Sequence, residues 1–384
     1  MHIGSRSRFC QKGGAEMLKK YTFCSIGFCV LLALGLVIIS GHGQAEGKWH
    51  ITTVDSKGEI GRRTSLALDE NGNPWISYHD SSKGDLRCAR WTGKAWEIKP
   101  VDYGEPGKHL WEQKGDVGEY SSLAIDKNGI PRIYYYDGIY KTLKFAVKLK
   151  GEDFWGWGYV DIVGVKGNVG EGLSFALDKD GNQRISCHDE TNGDLLYVKK
   201  IGETWKTEVV DSKGDVGEDT SLALDKDGNP RIAYFDQTNL KLKYARWTGR
   251  RWKIETVDEG GTQTSLALDK NGNPRISHYA GMLKYASWTG RTWKTEIVDS
   301  TAQFVGGYTS LALDKNGHPR ISYYDFTNGD LKYAKWTGRT WEIEIVDSKG
   351  NVGSNTSLVL DKNGNPRISY VDETNGDLKY AYWE

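Results

Sequence analysis

One sentence of sequence recurs seven times in this chain, and its clearest copy is Ser-Leu-Ala-Leu-Asp-Lys-Asn-Gly-His-Pro-Arg-Ile-Ser-Tyr-Tyr-Asp, from Ser310 to Asp325. The Asp that closes Ser-Leu-Ala-Leu-Asp stands at Asp69, Asp126, Asp178, Asp225, Asp269, Asp314 and Asp361, with periods between 44 and 57 residues. A repeat of that length folds as a propeller or a solenoid. It identifies a scaffold far better than it identifies a ligand.

Within a unit, short apolar runs alternate with turn chemistry, and no helical period interrupts them. The sixth unit predicts strand A at Ser310 to Asp314, a tight turn through Gly317, and strand B from Arg320 to Asp325. Strand C follows at Leu331 to Trp336 and strand D at Trp341 to Asp347. Four antiparallel strands per period make one propeller blade. The seventh unit stops at Glu384 after its strand C, while Lys48-Trp-His-Ile-Thr-Thr-Val-Asp55 matches the strand D pattern of Arg339 to Asp347. The N-terminal segment is therefore expected to complete the last blade and close the ring, which removes a free sheet edge. The predicted fold is all-β: a seven-bladed β-propeller over residues 46–384.

The residues ahead of the repeats are of another kind. Lys19 and Lys20 precede a run of sixteen mostly apolar residues, Cys24 to Ile39, and Gly43 and Ala45 are small enough for a signal-peptidase site. Residues 17–45 are read as a cleaved signal peptide, since the run falls short of the roughly 20 apolar residues of a membrane anchor. Residues 1–16, upstream of a second Met, resemble neither leader nor domain. The expected location is secreted or periplasmic.

The whole chain balances 51 basic against 51 acidic residues; five of the basic ones and one acidic one precede residue 46, leaving the remainder four units negative. No basic stripe suited to a phosphate backbone is visible, so nucleic acid is not an expected partner. A monomer is expected. Cys88 and Cys187, each where most repeats carry Tyr, belong to repeats too far apart for a disulfide and read as core substitutions.

Trp recurs six residues before every strand D Asp, at Trp49, Trp96, Trp155, Trp205, Trp252, Trp293 and Trp341, and closes strand C at Trp91, Trp247, Trp288, Trp336 and Trp383. A fixed strand position argues for packing between blades rather than for sugar stacking. Trp75, Trp111 and Trp157 fall outside this pattern.

The A-B turns are nearly uniform, whereas the B-C and D-A loops, on the opposite face, diverge. Unit 1 ends in an insertion from Tyr103 to Glu119, containing Trp111, and unit 2 has Gly138-Ile-Tyr-Lys, containing Tyr140, in its B-C loop. Divergent loops on a fixed scaffold are where specificity usually resides. Two residues before the strand A Ser, the chain has Arg63, Tyr120, Gly172, Asp219, Gln263, Tyr308 and Asn355, a position expected at the channel mouth. Strand B ends on the same face with His79, Tyr136, His188, Phe235, Tyr279, Tyr324 and Val371, followed in six units by Asp. Those Asp residues are expected to cap turns. The ligand-contact candidates are Arg63, His79, Trp111, Tyr120, Tyr136, Tyr140, His188, Asp219, Gln263, Tyr308 and Asn355; function and simple exposure both account for the mouth set.

No metal or cofactor is expected. His79, His188 and His278 come from non-adjacent units, and His278 is offset by one residue, which turns it to the other side of its strand. Asp178-Lys-Asp-Gly-Asn182 and Asp225-Lys-Asp-Gly-Asn229 lack the donor run of a calcium loop and read as Asx turns.

Gly338-Arg-Thr-Trp341 and Gly290-Arg-Thr-Trp293 match the tail of the Asp-box, Ser-x-Asp-x-Gly-x-Thr-Trp, although Trp336 and Trp288 replace its Asp. In architecture and in half of that motif the chain resembles the secreted sialidase-like propellers. The resemblance implies three Arg on a substrate carboxylate, a Tyr nucleophile paired with Glu, and an Asp acid. Here Arg132, Arg184, Arg231, Arg275, Arg320 and Arg367 begin strand B, at the end about 15–20 Å of strand away from the variable face. A binding module for a glycan, a cell-surface polymer or a protein is therefore the favoured function. The alternatives are a carbohydrate-active hydrolase or lyase using His109, Glu112, Asp137 and Tyr140 near the insertion, or a purely structural repeat protein.

Overall fold

The computed structural model describes residues 47–59, 63–104, 116–149, 151–152, 154–162, 165 and 167–384. The signal-peptide reading, residues 1–16, Trp111, His109 and Glu112 lie outside them.

Seven four-stranded antiparallel sheets form the ring, six of them in sequence order from inner strand A to outer strand D. Blades 1 to 6 occupy Ser65–Asp102, Val117–Tyr159, Val169–Asp211, Val216–Glu259, Thr262–Asp299 and Val305–Asp347. Blade 7 takes strands A to C from Val352–Trp383 and its outer strand from Trp49–Asp55, with Trp49 opposite Trp383 and Ile51 opposite Ala381. The expected closure is present, and Lys48 and Glu384 exchange backbone hydrogen bonds at 2.6 and 3.1 Å.

The ring is also closed by side chains. The strand A Ser accepts a hydrogen bond from the backbone amide of strand A in the next blade at every seam: Ser65 from Leu123, Ser122 from Phe175, Ser174 from Leu222, Ser221 from Leu266, Ser265 from Leu311, Ser310 from Leu358 and Ser357 from Leu66, at 2.9–3.2 Å. This is why Ser opens the repeated motif: inner strands of neighbouring blades have no ladder between them, and the hydroxyl satisfies an amide that the seam would otherwise bury unpaired.

Hydrophobic burial follows the seams. Each of seven core clusters joins two consecutive blades; Leu283, Tyr285 and Val298 of blade 5, for example, pack with Val305, Leu311, Ile321, Tyr323 and Ala334 of blade 6. A blade alone has little to bury, so the ring folds as a unit. The strand D Trp sits in this packing as expected: Trp96, Trp252, Trp293, Trp341 and Trp49 meet the strand C Tyr of the preceding blade edge-on, centroids 5.3–5.5 Å apart.

Six seams also contain a buried polar cluster that the repeat pattern did not disclose. Tyr323 of blade 6 donates its hydroxyl to Asp299 of blade 5 at 2.8 Å, and Lys332 lies between Asp299 and Asp325 at 3.4 and 2.7 Å. Tyr78, Tyr135, Tyr234 and Tyr370 repeat the arrangement on Asp55, Asp102, Asp211 and Asp347, with Arg87, Lys144, Lys243 and Lys379 as the cations. Blade 5 uses His278 and Lys284 on Asp258. The seam between blades 2 and 3 loses all three parts together: Cys187 replaces the Tyr, its cross-strand neighbour Leu196 replaces the Lys, and Asp161 is exposed. Ile162 and Val165 pack against the apolar cluster formed there. Cys187 and Cys88 are free, buried thiols, and burial pushes both up to about 12.

In blades 2 to 7 strand A is longer than expected. In blade 6 it begins at Val305 rather than Ser310, because the segment before the Ser pairs with strand B through a bulge.

Candidate functional site

That bulge builds the mouth. Between Glu119 and Ser122, three steps of strand A oppose two steps of strand B, Tyr136 to Tyr134, and blades 3 to 7 show the same irregularity before the Ser. The residue two before the Ser is left-handed in every blade: Arg63, Tyr120, Gly172, Asp219, Gln263, Tyr308 and Asn355 have φ between 50° and 64°. Asn, Asp and Gly tolerate that conformation; for Tyr, Arg and Gln it stores about 1–3 kcal/mol each, held by the surrounding structure. Much of the hold comes from the next residue, whose hydroxyl meets a strand B Ser of the preceding blade: Thr64 to Ser369, Ser121 to Ser77, Thr220 to Ser186, Thr309 to Ser277 and Thr356 to Ser322, at 2.7–2.9 Å.

The left-handed position brings Arg63, Tyr120, Asp219, Gln263, Tyr308 and Asn355 to the lining of one cavity of about 170 Å³ at the channel mouth. Arg63 of blade 1 reaches Asp219 of blade 4, Nη2 to Oδ1 3.0 Å, and its guanidinium lies 4.1 Å over the Tyr120 ring. Asp219 Oδ2 accepts the Gln263 amide at 2.8 Å, and Gln263 Oε1 accepts the Tyr308 amide at 2.6 Å. A side chain at Gly172 would bring its Cβ within 3.1 Å of the Asp219 amide, so blade 3 is open where the others project. Through that opening lies a second cavity of about 190 Å³, lined by Glu171, His188, Glu190, Asp215 and Glu218 and sharing Arg63, Tyr120 and Asp219 with the first. Five carboxylates against one guanidinium give this side of the mouth a negative field.

The remaining candidates occupy other settings. His188 is buried with Nε2 3.0 Å from Asp215 Oδ1. Tyr136 is buried and its hydroxyl donates to Asn168. His79 is buried, and its ring comes within ligand reach of Asp116 and Glu119, the three potential donor atoms lying within 4.8 Å of one another. Tyr140 is half-exposed and meets Tyr159 edge-on at 6.1 Å; it is not among the residues lining either cavity.

Aromatic platforms flank the mouth. Tyr308 lies 6.2 Å from Tyr324 and 5.9 Å from Phe326, and Phe326, 40% exposed, also meets Tyr324 and Tyr279 at 4.8 and 5.5 Å. On the flank of blade 2, Trp157 and Tyr159 cover the buried Lys144 ammonium at 4.0 and 5.2 Å from their ring centres. Phe304 and Phe326, both exposed, escaped the sequence reading; they stand at repeated loop positions that are polar in other blades, Asp215 and Asn351 matching Phe304 and Gln237 and Glu373 matching Phe326.

The Asp residues ending strand B cap turns as expected. Asp189, Asp325 and Asp372 each accept two backbone amides of the B-C turn and the side-chain amide of its Asn. Asp137 accepts the amides of Ile139 and Tyr140 and lies 3.6 Å from Lys144, so a carboxylate on which the enzyme alternative drew is engaged by its own turn and a lysine. At the other face each strand B Arg pairs with the Asp of its own A-B turn, Arg320 with Asp314 at 2.8 Å for example, so these guanidiniums serve the turns. Asp178 and Asp225 accept amides at 2.8–3.0 Å within their turns, the Asx geometry expected.

No protein-family model matches the chain, and no curated protein matches it in sequence. Solved structures do share the fold. A catalytically inactive virginiamycin B lyase from Staphylococcus aureus with quinupristin superposes with a TM-score of 0.58 at 11% identity, covering 88% of this chain and 99% of that one. An ulvan lyase, of a polysaccharide lyase family, gives 0.57 at 13% identity over 86% and 95% of the two chains. A fucose-specific lectin from Aleuria aurantia gives 0.51 at 16% identity over 76% and 96%. At such identities the likeness is one of architecture. Among the described residues, no helix is long and apolar enough to cross a membrane.

Proposed function

We propose that this protein is a secreted or periplasmic glycan-binding propeller that takes its ligand at the channel mouth on the B-C/D-A face. The observation that carries the reading is the left-handed position before each strand A Ser. One backbone device, repeated around the ring, presents a different side chain in each blade to a common cavity, which is how a symmetric scaffold makes an asymmetric site.

The chemistry of that lining favours sugar. Gln263, Asn355, Asp219 and Arg63 offer hydrogen-bond donors and acceptors suited to hydroxyls, and Tyr308 with Phe326 offers ring faces beside them. The excess of carboxylates around Gly172 favours a neutral polymer over a polyanionic one. That the fold also houses a fucose-specific lectin supports the class without identifying the sugar. The enzyme alternative is weakened by the engagement of Asp137 with its turn and Lys144.

A glycan array probed with the protein and with Arg63→Ala, Tyr308→Ala and Gln263→Ala variants tests the reading. Selective binding to neutral oligosaccharides, lost in the variants, supports it; binding unchanged by all three places the ligand elsewhere.

A further inference from the structure

The A-B/C-D face carries clefts between blades, and one of them is furnished as a site. Between blades 4 and 5 lies a cleft of about 300 Å³ whose walls include Arg231, Tyr244, Arg246 and Glu255 from blade 4 and Asn273 and Trp288 from blade 5. Its size is at the lower end for small-molecule sites, enough for one ring rather than a chain.

This seam departs from its neighbours in one contact. Where blades 3 and 4, 5 and 6, and 6 and 7 meet, the strand D Trp donates its indole N–H to a strand D Glu of the preceding blade: Trp252 to Glu208, Trp341 to Glu296 and Trp49 to Glu344, at 2.9–3.2 Å. Between blades 4 and 5 the counterparts are Trp293 and Glu255. Glu255 instead faces Lys253 at 2.6 Å and Arg246 at 3.9 Å, and the Trp293 indole N–H is buried with no hydrogen-bond partner among the described residues. Beside the latched Glu208 and Glu344 stand Lys199 and Lys335, each paired to one carboxylate oxygen while the other takes the indole. Blade 4 has Arg246 at that strand C position, opposite Lys253. Unlatched from the indole, Glu255 lines the cleft beside Arg246, where its carboxylate can accept from a ligand hydroxyl.

The rest of the lining is preorganised. Arg231 is fixed by Asp225 at 2.7 Å and by the Trp247 carbonyl at 2.9 Å, and Trp288, half-buried, stands edge-on to Trp293 at 5.5 Å. Charges of both signs pair with one another here, so the cleft selects for hydroxyls rather than for a net charge. We infer that the cleft between blades 4 and 5 is a second binding site, for a single neutral pyranose residue packed against Trp288 with its hydroxyls bonded to Arg246 and Glu255. It is separate from the channel mouth and does not depend on the reading of that mouth.

The test is an indole-region NMR titration of the full protein, labelled with ¹⁵N-tryptophan, against a panel of neutral methyl pyranosides. The expected result is a saturable shift of the Trp288 and Trp293 signals by at least one pyranoside, with the latched Trp252 and Trp341 signals unmoved. Trp288→Ala, and Arg246→Lys, which restores the cation found beside the latched glutamates, should each weaken that binding by about tenfold or more. Arg63→Ala should leave it unchanged, which separates this site from the mouth. Absence of a saturable shift with every pyranoside, or shifts that persist in both cleft variants, overturns the inference.

Discussion

Arg63 and Asp219, 156 residues apart, meet across the channel mouth with Nη2 3.0 Å from Oδ1, tying blade 1 to blade 4 without passing through the blades between. The pair is half open to solvent on the Arg side, with 38% of that side chain exposed, so it contributes little to stability, about 0–1 kcal/mol. It also holds the guanidinium over Tyr120, where the proposed function needs it.

Arg63→Ala should therefore leave the thermal midpoint within a few degrees of the parent while lowering affinity for the array-selected glycan about tenfold or more. Calorimetric titration beside a thermal melt checks both halves; a large fall in midpoint with affinity retained would contradict the assignment.

Tyr323→Phe removes the hydroxyl that Asp299 accepts at 2.8 Å in a buried seam. Leaving that carboxylate with Lys332 but one donor short should cost about 1–3 kcal/mol, read from urea unfolding with an unchanged slope. Among the described residues the matching seam between blades 2 and 3 has no such cluster, so Cys187→Ala should be felt only as a lost apolar contact, about 1 kcal/mol.

Acid should loosen the seam between blades 4 and 5. Burial alone would raise the Asp258 carboxyl, but hydrogen bonds from His278 and Lys284 hold it down to about 2 from an ordinary 3.8. Burial also holds the His278 ring below its ordinary 6.5. Both groups bind protons more readily unfolded, so both add stability that rises with pH. Asp258 contributes fully above 3.8 and loses its contribution as pH falls towards about 2; the His278 loss starts below 6.5. Comparing denaturant midpoints of the parent and His278→Tyr between pH 7 and pH 5 should show a smaller loss in the variant, because Tyr occupies this position in five other blades and stays neutral there.

Deleting the strand Trp49–Asp55 should expose the edge of Asp377–Trp383 and remove Trp49 from its contacts with Tyr333 and Trp383. A loss of more than about 3 kcal/mol and a tendency to aggregate are expected. A peptide covering that strand, added in trans, should restore the melting temperature in part; a deletion variant as stable as the parent would contradict closure.

The ring was legible in sequence because each of its parts repeats: the Ser of the seam, the Trp of strand D, the Asp of each turn, and the outer strand supplied by the segment around Ile51. The mouth position was legible as a location, since it varies where its neighbours do not. Its conformation was not, because Arg63, Tyr120, Gln263 and Tyr308 give no local sign of a left-handed backbone; Gly172, Asp219 and Asn355 at the equivalent position were the available hints. Contacts between blades escaped as well. The Trp–Glu latch pairs side chains 44 or more residues apart, and its loss at Trp293 depends on which neighbour Glu255 chooses. The joint replacement of Tyr and Lys at Cys187 and Leu196, with the exposure of Asp161, becomes visible only once two blades are placed side by side.

The measurement that bears most directly on the mouth as the ligand site is a crystal structure of the protein with the oligosaccharide selected by the glycan array. The account predicts a sugar residue at the channel mouth, hydrogen-bonded to Arg63 and Gln263 and resting against Tyr308. Ligand density confined to another surface, with Arg63 still closed on Asp219 and the mouth unoccupied, would contradict it.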